Sequence, residues 1–152
     1  MQTSNKFDLI VVGAGHSGIE AALAAAKRGL KVALFTIKLE AIGRMSCNPS
    51  IGGPAKGHLA REIDALGGEL AKSADLSGIH FRMLNRSKGP AVWAPRSQND
   101  RQQYHLLMRE AVEKQQNIHL MEAIIEEIIV EQGKVKGVIS QIGCYYYAPK
   151  VI

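Results

Sequence analysis

The chain has 152 residues, 46% of them hydrophobic, two cysteines and a formal net charge of +5. That length allows one domain with a real core, and the composition excludes disordered and fibrous classes. No apolar run approaches the roughly 20 residues of a membrane span, so no membrane association is expected. Cys47 and Cys144 form neither a metal spacing nor a disulfide framework. A reducing, cytoplasmic setting is therefore the default expectation, and the opening MQTSNK shows no apolar signal-peptide core.

In chain order, Phe7–Val12 reads as a buried strand. It ends in Gly13-Ala14-Gly15-His16-Ser17-Gly18, and an alanine-rich helix follows over Ser17–Arg28 with Ile19, Ala22, Leu23 and Ala26 on one face. Strand, glycine turn and helix start in this order is the context in which G-x-G-x-x-G means dinucleotide binding. Gly13 permits the tight turn, Gly15 lets the backbone approach a pyrophosphate, and Gly18 lets the helix pack close to the sheet. The helix start offers free N–H groups and partial positive charge to phosphates. Gly29 stops the helix, and Lys31–Phe35 is a second strand, parallel to the first by the right-handed crossover rule. The acid expected after that strand to hold an adenosine ribose is replaced by Thr36, with Lys38 and Glu40 nearby. This departure argues against an ordinary NAD site.

Gly43–Gly68 reads as a loop rich in Gly, Pro, Ser and Asn, then a helix whose buried face is marked by Leu59, Ile63 and Leu66. Gly52-Gly53, Pro54 and Gly57 at its start, with Lys56, make a second anion-accepting helix start plausible. A long glycine loop in a compact domain is more often functional than decorative. Cys47 lies in this polar loop. A lone cysteine is most often a small buried apolar residue, but this placement raises the odds of thiol chemistry. Cys144, beside three tyrosines, reads as structural or incidental.

Ala71–Arg101 reads as irregular, broken by Ser87-Lys88-Gly89-Pro90 and Ala94-Pro95-Arg96. From Arg82 to Arg101 five bases stand against one acid, Asp100, which suggests an anionic partner; a solvated surface is the plain alternative. Trp93 is read as packing under a loop more readily than as a base-stacking platform. His80 reads as a surface histidine. A helix over roughly Asn99–Gln115 presents Tyr104, Leu107, Met108, Ala111 and Val112 to a core. The strands Ile118–Met121, Ala123–Glu131, Lys134–Gln141 and Tyr145–Ala148 follow, the last three as an antiparallel β-meander. Val151-Ile152 would begin a strand returning to the parallel sheet. The expected fold is α/β: a Rossmann-like, glutathione-reductase-type FAD-binding domain with a parallel sheet and an inserted meander. The expected domain assignment is the N-terminal portion of that domain over 1–152, with a loop-rich insertion at about 40–100, in a chain that is a piece of a longer protein.

At VVGAGHSGIEAA (Val11–Ala22), MSCNPSIGG (Met45–Gly53), KGHLAREIDALGG (Lys56–Gly68) and NRSKGPAVWAPRSQNDR (Asn85–Arg101) the chain resembles a known family. It is similar to the flavin-dependent large subunit of the tRNA wobble-uridine modification machinery, the MnmG (GidA) family, in register from Phe7 to Ile152. The resemblance implies FAD bound at Gly13, Ala14, Gly15, His16, Ser17 and Gly18, with a backbone contact near Ile125. It implies NADH as reductant and methylenetetrahydrofolate as one-carbon donor. It implies tRNA as substrate, the GTPase MnmE as partner in a heterotetramer, and a homodimer at full length. The reaction would place a carboxymethylaminomethyl group on C5 of the wobble uridine. Cys47 matches the first of the family's two functional cysteines, and a thiol role follows from that match, as acid–base or as adduct former. Two other readings stand beside it: a catalytically inactive flavin- or RNA-binding module, and a folate- and FAD-dependent tRNA uridine methyltransferase. The latter is disfavoured by Thr36 and by the MSCNPSIGG stretch.

Overall fold

The computed structural model describes residues 5–46 and 48–152. The first elements are β1 (Leu9–Val12), α1 (His16–Lys27) and β2 (Val32–Thr36). Next come β3 (Ser50–Gly52), α2 (Lys56–Ala65), α3 (Leu70–Leu76), β4 (Gly78–Leu84), β5 (Ala94–Asn99) and α4 (Arg101–Lys114). The chain closes with β6 (Ile118–Glu122), β7 (Ile125–Glu131), β8 (Lys134–Ser140) and β9 (Tyr145–Tyr147). The chain divides into two compact units: one runs through Ile42 and resumes over Val112–Ile152, the other is Gly43–Ala111.

The first unit is built on a parallel sheet in the order β1-β2-β6. Its strands β1 and β2 read as near-continuous apolar runs, as strands of a covered parallel sheet do. Every residue of β2 is buried. In register, Ile10 lies beside Ala33 and Val12 beside Phe35, while Leu9 pairs with Val32 and Val11 with Leu34. Ile10, Ala33 and Phe35 form a core cluster with Val138 and Ala148, so the meander β7-β8-β9 covers that face. On α1, Ile19, Ala22, Leu23 and Ala26 are buried, as the periodicity expects. The meander is antiparallel throughout, also as expected. Beyond it the backbone returns to the parallel sheet: Val151 bridges Ile10 in parallel, and Val12 donates its N–H to the Ile152 carbonyl at 2.8 Å. Ile118–Glu122 is the third parallel strand, paired to β2 from Val32↔Ile118 to Thr36↔Glu122.

The second unit corrects two expectations. Ala71–Arg101 is not irregular. It holds most of α3 and two strands of an antiparallel sheet ordered β3-β5-β4, with β5 in the centre. The breakers at Ser87–Pro90 only interrupt the connection between β4 and β5, while Pro95 within a central strand masks the strand pattern. The second correction concerns α2, where Leu59 is 57% and Leu66 90% exposed. The residue it buries is Gly57, where an added Cβ would come 2.5 Å from the Pro95 carbonyl oxygen and 3.1 Å from Pro95 Cδ. The helix docks through its smallest residue, which turns the leucine face outward.

At the start of α4 the Asp100 carboxylate accepts from the N–H groups of Gln102 and Gln103, each at 2.9 Å. This N-cap satisfies two of the helix's orphan donors. Tyr104, Met108 and Val112 are buried along it, and Leu107 and Ala111 are half-buried.

Candidate functional site

The carboxyl ends of β1, β2 and β6 lie along one edge of the parallel sheet, where open α/β sheets hold their ligands. At the first of these ends the chain turns through Gly13, whose φ of +112° favours glycine. Its N–H donates to the Phe35 carbonyl at 2.8 Å, which ties the turn to β2. Gly15 is the residue before α1, in extended conformation, and no side chain caps the helix. Its carbonyl accepts from Ile19 N–H at 2.9 Å and so begins the helical ladder.

The glycines have separable reasons. A Cβ on Gly18 would sit on the Gly13 carbonyl oxygen and press on Val11 Cγ1 at 3.4 Å. Gly18 is thus required by the protein's own packing. A Cβ on Gly15 would meet no atom within 4 Å. Nothing in the polypeptide needs a glycine there, and the space it leaves lies in front of an uncapped helix start. That cradle fits a pyrophosphate, whose oxygens would accept from backbone N–H groups of the first helical turn.

Ala14 is buried, Ser17 is exposed and His16 is half-buried in the first turn. Desolvation lowers the His16 pKa below its ordinary value, and the charge of Glu20 partly opposes that shift. At the second strand end, Thr36 is buried and donates its hydroxyl to the Lys38 carbonyl at 2.9 Å. The hydroxyl oxygen keeps acceptor capacity, but its proton is committed.

Glu122, at the third strand end, stands opposite Thr36 in register. One of its carboxylate oxygens accepts from Leu39 N–H at 2.9 Å, pinning the short turn Leu39–Ala41 that follows β2. Sequence reasoning looked for an acid only after β2 and missed this one, one strand over. The signal was an acid ending the third parallel strand, legible once Ile118–Glu122 is placed in that sheet. Beyond it Ala123 N–H donates to the Thr36 carbonyl at 2.9 Å. Ile125 then opens β7 and packs against the Ile10–Phe35 cluster. The glycine turn and the segment leading to Ile125 are therefore two strand spacings apart on one edge, about 10 Å.

Cys47 lies outside the described residues. Downstream of it, Pro49 accepts from Asn99 N–H at 2.7 Å, and Asn48 accepts from Ser50 N–H at 2.8 Å. Lys56 opens α2, preceded by Gly52 and Gly53 at φ of +100° and +96° and by Ala55 at +61°. Trp93 is half-exposed and donates its ring N–H to the Arg86 carbonyl at 3.3 Å. Cys144 is half-buried in the turn after β8, where its N–H donates to the Ser140 hydroxyl. Among the described residues no cluster of His, Cys, Asp or Glu is placed to hold a metal ion, and no helix is long and apolar enough to cross a membrane.

The model of the family described as glucose inhibited division protein A matches residues 8–152. A curated relative from Thermodesulfovibrio yellowstonii, the tRNA uridine 5-carboxymethylaminomethyl modification enzyme MnmG, is 60% identical over 152 residues, covering 100% of this chain and 24% of its own length. The protein of that name from Desulfitobacterium hafniense is 55% identical over 149 residues, covering 98% and 23%. Among solved structures, Aquifex aeolicus GidA superposes with a TM-score of 0.93 at 48% identity, over 97% of this chain and 24% of that one. The pqsL protein of Pseudomonas aeruginosa, a probable FAD-dependent monooxygenase, has a TM-score of 0.66 at 13% identity over 96% of this chain and 41% of its own, a likeness of fold alone. The chain thus spans about a quarter of the length of the curated relatives it matches.

Proposed function

Because the chain belongs to the glucose inhibited division protein A family, we propose that it forms the FAD-binding part of an enzyme that modifies tRNA wobble uridines at C5. The observation that carries this reading is the open face of Gly15 before an uncapped helix start, at the carboxyl edge of a parallel sheet. The pyrophosphate would be held by the backbone at Gly13, Ala14, Gly15, His16, Ser17 and Gly18. The adenosine would lie across the end of β2, past Thr36, towards Glu122 and the backbone at Ile125.

When bound, FAD supplies the redox chemistry by which a one-carbon unit is passed to the base, with methylenetetrahydrofolate as donor and NADH as reductant. This chain's residues do the rest of what can be assigned. Cys47 precedes β3 in the sequence. C5 of uracil becomes nucleophilic only after a group adds at C6, and the C5 proton must then leave. The Cys47 thiol is the group here with the chemistry for either step. The product would be a carboxymethylaminomethyl group on the wobble uridine, made together with the MnmE GTPase in a heterotetramer of a homodimeric subunit.

The test uses the full gene product. Purified protein should carry flavin absorbance. Nucleoside analysis of tRNA from a deletion strain should show the wobble modification restored when the gene is returned. Flavin-free protein under all reconstitution conditions, or unrestored tRNA, removes the reading.

A further inference from the structure

The antiparallel register places two guanidinium groups side by side. Arg82 on β4 is directly opposite Arg96 on β5, so both side chains leave the same face of the sheet. Such partners have Cβ atoms about 5 Å apart, and like charges so placed are destabilising. The hydroxyl of Ser50, on β3 opposite Gln98, accepts from Arg96 Nη2 at 3.1 Å, which fixes that side chain on this face. The partner is neutral, however. Among the described residues no carboxylate lies within ion-pair distance of either arginine. Residues 78–99, both strands and their connection, contain no Asp or Glu at all.

The same face carries His80 opposite Gln98. Along the outer strand, a cleft of about 600 Å³ is lined by Arg82, Asn85 and Arg86 among residues 81–87. The five strand residues from His80 to Leu84 cover about 13 Å, and Arg86 lies beyond them. This is longer than a single phosphate. Trp93, 42% exposed, is anchored to the Arg86 carbonyl beside the cleft. Cations spread along a strand edge with an aromatic ring at one end suit a polynucleotide, whose phosphates track the groove and whose bases stack.

We infer that the Arg82–Arg96 face of this sheet, extended by Arg86, binds the phosphate backbone of an RNA strand. The inference rests on the proposed action on tRNA and deepens it by naming where the RNA is gripped. An oxyanion between the two guanidiniums would accept from both and relieve the like-charge pair.

The experiment measures binding of unmodified tRNA to the full gene product as a function of salt, for the wild type, Arg82→Gln, Arg82→Lys and the Arg82→Gln/Arg96→Gln double variant. Arg82 is exposed, so its substitution should leave melting temperature and flavin content unchanged. Weaker binding with a salt slope shallower by about 0.7 per guanidinium removed is expected, and Arg82→Lys should keep the slope. An unchanged slope in the double variant, with the wild type binding tRNA, overturns this inference alone. A wild type that binds no tRNA removes the proposed function, and the inference with it. The same variants are titrated with NADH. Loss of NADH binding with an intact tRNA slope would assign the face to a dinucleotide phosphate and overturn the RNA reading.

Discussion

The Gly13 carbonyl oxygen occupies the place where a side chain on Gly18 would begin, so the turn and the helix that follows it are locked together backbone to backbone. Gly15, between them, meets nothing within 4 Å. Two glycines of one motif therefore answer to different demands. Gly18→Ala should destabilise the protein by about 1–3 kcal/mol, because backbone must move to admit the methyl group. Gly15→Val should cost about 1 kcal/mol or less, as a poorer residue before a helix, yet abolish flavin binding. Denaturant titration and flavin absorbance per polypeptide separate the two. Full flavin occupancy in Gly15→Val would count against the whole pyrophosphate assignment.

Cys47→Ser in the full gene product is expected to keep its flavin and lose wobble-uridine modification. A hydroxyl is far less nucleophilic and less acidic than a thiol, while its volume is similar. Mass analysis of tRNA nucleosides from a complemented deletion strain reads the outcome. Normal modification would make Cys47 a structural residue.

Much of the parallel-sheet unit was legible because its signals are local. The run Leu9–Val12, the glycine turn and the α1 periodicity each fall within one window, and Gln132-Gly133 marks the β7–β8 hairpin with its own turn residues. The second unit was not legible in the same way. Its central strand contains Pro95, Arg96, Ser97 and Gln98, a composition that hides a strand. What makes it one is tertiary: β3 and β4 pair on its two sides, and Gly57 lets α2 close on Pro95. The leucine spacing of α2 was a true helical signal with the wrong face attached. Glu122 escaped notice for a related reason, since its place opposite Thr36 depends on a pairing 86 positions apart in the chain.

Asn99 is 1% exposed and donates through Nδ2 to the Ala74 carbonyl and to Ser77 Oγ at 3.0 Å, while its Oδ1 accepts from Ser97 Oγ at 2.9 Å. One amide therefore joins the end of β5 to α3. Removing it takes the side-chain donor from the buried Ala74 carbonyl, while Ser77 Oγ still donates to the Ser73 carbonyl and Ser97 Oγ to the Ile51 carbonyl. Asn99→Ala should lower stability by about 2–3 kcal/mol, read by urea titration. A change below about 0.5 kcal/mol would mean that water replaces the amide without loss.

His16 gives the site a pH dependence whose direction follows from its burial. Its folded-state pKa lies below the ordinary 6.5, with desolvation the larger cause and Glu20 opposing it. The unfolded chain then binds the proton more readily than the folded one. At pH above 6.5 both states are neutral at this position and it has no effect. As pH falls from 6.5 through the lower folded value, the unfolded state gains protons first and stability declines; below that value the penalty is constant. His16→Gln removes the titrating ring. Melting curves of wild type and variant should therefore converge in their pH dependence above neutrality. They should diverge between pH 6.5 and the acid range, the wild type losing stability more steeply. Parallel curves throughout would place the acid sensitivity elsewhere in the protein.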